Sequence, residues 1–427
     1  MRIVHVVPGS GGSFYCENCL RDTSVVRALR GRGHEIVLVP MYLPLLRSHE
    51  DHAAEGPLFF GGVNAWLQEH VPLFRHTPRW VDSVLDAPPL LRLAAAQAGS
   101  TRAHDLGPMT LSMLSGEEGH QAKELERLAA WLAGEVRPDV VHLSNALLLG
   151  LVRRVRERTG AAVVCSLQDE APWVDAMAPP WPGRVWGEIA ARARAVDAFV
   201  AVSRHYAGIM ERRAGIPADR VRVVPIGVEV DSYPAADPDP AAPVIGYLAR
   251  MSEACGLGDL VDAFLRLRER RPGLRLAVTG GKTHDDDHFL RDVRGRIERA
   301  GASGSVAFLE DFGAGSRRRF LSSLTVLSVP GTGQTAFGLY VLEALAAGVP
   351  AVQPRAGAFP ELIEPTGGGL MYDPLEPGAL ERALAAILDD PARARELGRR
   401  AREGAARHFS VDAMAEAYLD VYRSVRG

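Results

Sequence analysis

Val329-Pro330-Gly331-Thr332-Gly333-Gln334-Thr335-Ala336-Phe337-Gly338-Leu339-Tyr340-Val341-Leu342-Glu343-Ala344-Leu345-Ala346-Ala347-Gly348-Val349-Pro350 is the stretch that decides the fold. A short apolar run ends at Pro330, a loop of small residues follows, and an apolar helix starts near Gly338. Strand, tight loop and helix in that order belong to an α/β unit. The free amides of such a helix start form a ready anion site at the carboxyl edge of a parallel sheet. Glu343 stands in a helix that is otherwise apolar or small. An unpaired carboxylate on a buried helix is expensive, so Glu343 is expected to meet a specific donor.

Outward from this stretch, short β-branched runs alternate with helical ones, which argues for parallel sheets covered by helices. In the first half the expected strands are 3–8, 35–40, 139–144, 162–167, 197–203 and 221–226. In the second they are 244–249, 275–280, 306–310, 325–330 and 350–354. Between the sets, 233–243 carries prolines at 234, 238, 240 and 243 and reads as a stiff linker. The expected organisation is a first domain over 1–232, the linker, a second domain over 244–407, and a final helix within 408–427. Residues 41–118 show no clear strand and are rich in aromatics, among them Phe59, Phe60, Trp66, Phe74 and Trp80. This is too long for an idle loop and reads as an insertion between strands of the first domain.

The 427 residues prescribe two or three domains. With 49 basic against 52 acidic residues the net charge is −3, and no global field favours nucleic acid or an anionic membrane. No stretch approaches 18 uninterrupted apolar residues, so no transmembrane segment is expected. The start, Met1-Arg2-Ile3-Val4-His5-Val6-Val7-Pro8, reads as a strand rather than a signal peptide. With only four cysteines, a cytoplasmic protein is expected. Lys123 and Lys282 are the only lysines.

Several motifs fail on inspection. After the first strand, Gly9-Ser10-Gly11-Gly12-Ser13-Phe14 has Phe14 where a dinucleotide fingerprint needs its third glycine, and no acidic residue ends the second strand. Gly280-Gly281-Lys282-Thr283 has the end of a phosphate loop, but Leu276 stands where its first glycine belongs. His284-Asp285-Asp286-Asp287-His288 reads as a helix cap in preference to a metal cluster. Cys16-Glu17-Asn18-Cys19 has metal-knuckle spacing, yet structural zinc takes four ligands and Cys165 and Cys255 are the only others. Isolated thiols are favoured over a four-cysteine site.

Taken in order, these patterns resemble the family 4 retaining glycosyltransferases (glycosyl transferases group 1). They are Gly11-Gly12, Arg32-Gly33-His34-Glu35, Val202-Ser203-Arg204, Val224–Glu229, Gly246–Arg250, Gly280-Gly281, Phe337–Glu343, Gly357 to Pro360-Glu361 and His408-Phe409-Ser410. The resemblance implies the GT-B fold: two Rossmann-like domains whose parallel sheets face a cleft, with a last helix crossing back to the first. It implies a nucleotide-sugar donor on the second domain, an acceptor on the first, and no metal or cofactor; the aromatic insertion 41–118 would then shape the acceptor side, unless its rings merely fill a local core. Arg250 would bind phosphate and Glu343 the ribose hydroxyls. The backbone at Phe337, Gly338 and Leu339 would contact phosphate or sugar, and Gly12 would let the first domain approach the diphosphate.

Three positions depart from the family. Thr335 stands eight residues before Glu343 where a carboxylate is usual. Cys255 stands five after Arg250 where a phosphate-binding lysine is usual. Gln168 replaces a histidine expected near the transferring sugar. A charge-assisted hydrogen bond contributes about 1.5–3 kcal/mol, so each loss weakens donor binding or catalysis roughly ten- to hundredfold. Lys282, two glycines beyond a strand end, is expected to supply part of the missing positive charge. Three readings follow: an active transferase with altered donor contacts, a degenerate relative that binds a nucleotide or sugar without transfer, or a different reaction on the same scaffold.

Overall fold

The computed structural model describes residues 1–8, 14–41, 59–60, 67–69, 74, 103–331, 333 and 335–426. The chain forms two compact units. One comprises Met1–Gly11, Asn18–Pro225 and Ala415–Gly427; the other comprises Gly12–Glu17 and Ile226–Met414.

In the first unit the runs read as strands become β1 (Arg2–Val7), β2 (Glu35–Pro40), β3 (Val140–Leu143), β4 (Ala162–Leu167), β5 (Ala198–Ala201) and β6 (Val221–Val223). They pair in the order β2-β1-β3-β4-β5-β6, every pair parallel. Their Val- and Ile-rich composition follows from burial on both faces, as parallel sheets require: every residue of β3 is buried. The order reverses direction between β1 and β3, the kind of place where open α/β sheets hold ligands.

The second unit repeats the plan with β7 (Val244–Leu248), β8 (Arg275–Thr279), β9 (Val306–Phe308), β10 (Val326–Leu327), β11 (Ala351–Pro354) and β12 (Gly369–Tyr372). The order is β12-β11-β10-β7-β8-β9, again all parallel. Its switch point lies between β10 and β7. The edge strand β12 was not among the expected strands: four residues after a run of glycines carry little β signal.

The division between units falls at Pro225–Ile226, before the proline-rich stretch. Gly227 N meets Met414 Sδ at 3.1 Å and Val228 N donates to Phe409 O at 2.8 Å, which ties 226–228 into the second unit. The last helix, Val411–Val425, belongs to the first unit from Ala415 on. There the buried rings of Tyr418 and Tyr422 lie 5.6 and 5.7 Å from His142, centroid to centroid.

Of the aromatic insertion, Trp66 and Trp80 lie outside the described residues. Phe59 is buried in the first unit with its ring 5.3 Å from that of Trp131 and the Arg127 guanidinium 5.2 Å from its centroid. This ring fills a local core.

Candidate functional site

The central strands β7 and β10 of the second unit aim their carboxyl ends at the residues singled out from the sequence. Arg250 follows β7, Gly280 follows β8, and β10 leads through Thr335 into the helix Leu339–Ala346 that carries Glu343. Gly338 caps this helix at φ +92°, and a Cβ there would stand 2.9 Å from the Phe359 ring. Only glycine fits this helix start. Phe337 is buried edge-on against Phe409, centroids 6.4 Å apart, so its backbone, not its ring, is left for a ligand. Thr335 O accepts from Ala358 N at 3.1 Å, which pins the loop before the helix.

Glu343 is 2% exposed and does meet specific donors. The Tyr15 hydroxyl donates to Oε2 at 2.6 Å and the Tyr233 hydroxyl to Oε1 at 2.8 Å. Arg317 Nε donates to Oε1 at 3.2 Å, completing a buried ion pair. Arg317 in turn donates from Nη1 to Phe312 O at 3.0 Å. Burial works against its charge, yet Glu343 and the hydroxyls of Tyr15 and Tyr233 hold its pKa above the ordinary arginine value. Burial, then the carboxylates of Glu343 and Glu17, push the Tyr15 phenol well above its ordinary range. Tyr233 moves the same way, by burial and then by Glu343.

Arg250, with 36% of its side chain exposed, forms a fork on Asp286: Nε to Oδ2 at 2.8 Å and Nη2 to Oδ1 at 3.0 Å. Nη2 also reaches Thr283 Oγ1 at 2.7 Å. Thr283 and Asp286 close a reciprocal capping box at the start of the helical stretch His284–Asp286, so the acidic cluster caps a helix. His284 and His288 turn to Asp287 and Asp292 respectively. Lys282 Nζ engages Asp287 and is half exposed. Among the described residues no cluster of three metal-ligating side chains occurs.

Adjacent residues at the amino end touch both groups. The Arg250 guanidinium lies 5.8 Å from the Phe14 centroid, while Tyr15 holds Glu343. Phe14 bridges Gly281, Tyr15 N donates to Gly280 O at 2.7 Å, and a carboxylate oxygen of Glu17 accepts from Leu339 N. Gly280 sits at φ +120°, with no room for a Cβ beside Ala249 O.

Gln168 belongs to the first unit, where it follows β4. Its Nε2 donates to Ser144 O at 2.6 Å, its backbone N to Glu170 Oε2 at 2.8 Å, and its Oε1 has no hydrogen-bond partner. Gly12 lies outside the described residues. Cys255 is a half-buried thiol and Cys165 a fully buried one, whereas Cys16 and Cys19 are disulfide-bonded. Four isolated thiols were expected. The two-residue spacing that admits a metal knuckle also brings two sulfurs within bonding reach.

The residues that sequence reasoning missed are Tyr15, Glu17, Tyr233, Arg317 and Asp286. Only Glu343 advertised a need for partners, and their positions are scattered along the chain. Arg317 is one of three consecutive arginines, so composition did not single it out.

The pattern described as "Glycosyl transferases group 1" matches residues 242–390, and "Glycosyltransferase Family 4" matches 102–232. The D-inositol 3-phosphate glycosyltransferase of Acidothermus cellulolyticus is 30% identical over 304 residues, 67% of each chain. Among solved structures, sucrose-phosphate synthase from Thermosynechococcus elongatus superposes with a TM-score of 0.73 at 18% identity, covering 99% of this chain and 98% of that one. Anabaena Alr3699/HepE in complex with UDP and glucose gives 0.68 at 17%, covering 99% and 100%. These two likenesses speak for the fold alone, which is GT-B.

Proposed function

The chain belongs to the glycosyl transferases group 1 of glycosyltransferase family 4, and from that premise we propose that it moves a sugar from a nucleotide-diphosphate donor to an acceptor with retention of anomeric configuration. That it is a glycosyltransferase follows from the family. The related chains bear the names of transferases and synthases, and nothing in them favours a purely non-catalytic relative.

One observation carries the donor reading. Arg250 and the start of the helix Leu339–Ala346 follow β7 and β10, the neighbouring strands that flank the switch point of the second sheet. A guanidinium and a row of helix-end amides at that place suit a diphosphate. In this reading the amides of Gly338 and Leu339 and the Arg250 fork stabilise the departing diphosphate as negative charge grows on it. Glu343, fixed by Arg317 and Tyr233, presents its carboxylate to the ribose hydroxyls. Thr335 and Cys255 bring no charge to the sugar or the phosphates, and Lys282 adds its ammonium from the β8 loop. The solved relative with UDP and glucose bound supports the choice of a nucleotide sugar. Gln168 and the first unit serve the acceptor.

The test is a screen of UDP-, GDP- and ADP-sugars against candidate acceptors, with product configuration read by NMR. Release of nucleoside diphosphate with a retained anomeric centre is expected. An inverted product, or transfer from a sugar phosphate alone, defeats the proposal.

A further inference from the structure

We propose that the segment Phe14–Glu17 is a built-in occupant of the donor site on the second unit, an autoinhibitory contact that a donor must displace. The inference rests on the donor reading above, because the points occupied are those which that reading gives to the nucleotide.

The occupation is chemical as well as spatial. A donor phosphate would place anionic oxygens on the amide of Leu339, and Glu17 places a carboxylate oxygen there. Negative charge at a helix start is favoured whether it comes from phosphate or from a side chain. A ribose would offer hydroxyl protons to Glu343, and Tyr15 offers a phenol proton to Oε2 at 2.6 Å. With Tyr233 and Arg317 on Oε1, three donors already converge on this carboxylate, and a ribose diol gains good geometry only by replacing one. Tyr233 and Arg317 come from within the body of the second unit, whereas Tyr15 arrives on a short segment from a distant part of the chain. Tyr15 is therefore the partner that can leave.

The segment is seated, not merely adjacent. Tyr15 N donates to Gly280 O at 2.7 Å and Phe14 forms an isolated antiparallel bridge to Gly281, two residues past the end of β8. The Tyr15 ring meets Tyr340 edge-on with centroids 6.4 Å apart and faces the Arg317 guanidinium at 5.5 Å. Phe14 lies beneath Arg250 at 5.8 Å. Arg250 is meanwhile forked onto Asp286. Thus the cation, the helix start and the carboxylate of the donor reading are each engaged by the protein itself. Glu17 also suits the first turn of its own helix, Glu17–Gly31, but its hydrogen bond runs to the amide of another helix.

Two measurements test this. Calorimetric titration with UDP compares the unaltered protein with the double variant Tyr15→Phe, Glu17→Ala. Tenfold or tighter binding by the variant is expected; equal or weaker binding by a variant with an unchanged thermal transition overturns the proposal and leaves the donor reading standing. If neither protein binds UDP, GDP or ADP at millimolar concentration, the donor reading fails and the proposal falls with it. Hydrogen exchange on the unaltered protein needs no variant. Saturating UDP is expected to speed exchange at residues 14–17 while protecting 339–343. Protection of 14–17 by UDP overturns the proposal.

Discussion

Each unit buries a polar centre near the carboxyl ends of its sheet, and the two are built on opposite terms. In the second unit a single carboxylate, Glu343, is closed in by two phenols and a guanidinium, with its charge matched by Arg317. In the first, His142 is clasped between the Tyr422 hydroxyl at Nδ1 and Ser166 Oγ at Nε2, both at 2.7 Å, with the His5 ring 4.7 Å away. Beside them Arg21 pairs with Asp22 at 2.7 Å, yet its Nε and Nη1 have no hydrogen-bond partner, nor does Ser144 Oγ. The Glu343 centre is saturated and so is exposed to the loss of any member. The His142 centre has donors in excess and so is exposed to the arrival of a proton.

The largest expected effect breaks the saturated centre. Arg317→Ala leaves Glu343 buried without its cation and should cost about 3–5 kcal/mol of unfolding free energy, read from urea denaturation. Replacing both partners, Arg317→Met with Glu343→Leu, should recover most of that loss. A single variant as stable as the parent would mean that the ion pair holds nothing.

Tyr233→Phe removes one hydrogen bond to a charged group, about 1.5–3 kcal/mol, and sharpens the comparison when set against Ser166→Ala in the first unit. The loss at Ser166 should be smaller, since its partner His142 is neutral. Equal losses would erase the distinction between the two centres.

The smallest effect is a pH dependence with opposite signs in the two units. Burial, then the electrostatic influence of the neighbouring His5 and Arg21, holds the His142 pKa well below its ordinary value. Unfolded His142 takes up a proton below about pH 6.5 and the folded form does not. The first unit should therefore lose stability as pH falls past that point, by up to about 1.4 kcal/mol per pH unit. Tyr15 and Tyr233 have raised values, so the stability they confer is complete below about pH 10 and declines above it. His142→Asn should flatten the acid limb and leave the alkaline limb unchanged; an unaltered acid limb would assign it to another group.

Much of this was readable in the sequence, for physical reasons that differ by element. The sheets were legible because parallel strands buried on both faces must be β-branched, as in Val140-Val141-His142-Leu143. The strand β12 was not, because an edge strand of Gly369-Leu370-Met371-Tyr372 needs neither property. That Glu343 required donors followed from the apolar helix around it. Which donors it would find did not follow, since Tyr15 and Tyr233 lie 328 and 110 residues away in sequence. Arg250 was legible as a cation at a strand end, but its fork on Asp286 depends on a helix cap 36 residues on. The seating of residues 14–17 in the second unit left no periodic trace at all, because a four-residue segment has no face to pattern.

The central claim is that Arg250 and the amides opening Leu339–Ala346 form a nucleoside diphosphate site. Its most direct test is calorimetric titration of UDP into the parent protein and into Arg250→Ala, with the thermal transition of each recorded. The account predicts that the variant folds and that its dissociation constant for UDP rises tenfold or more. A folded variant that binds UDP as tightly as the parent would contradict it.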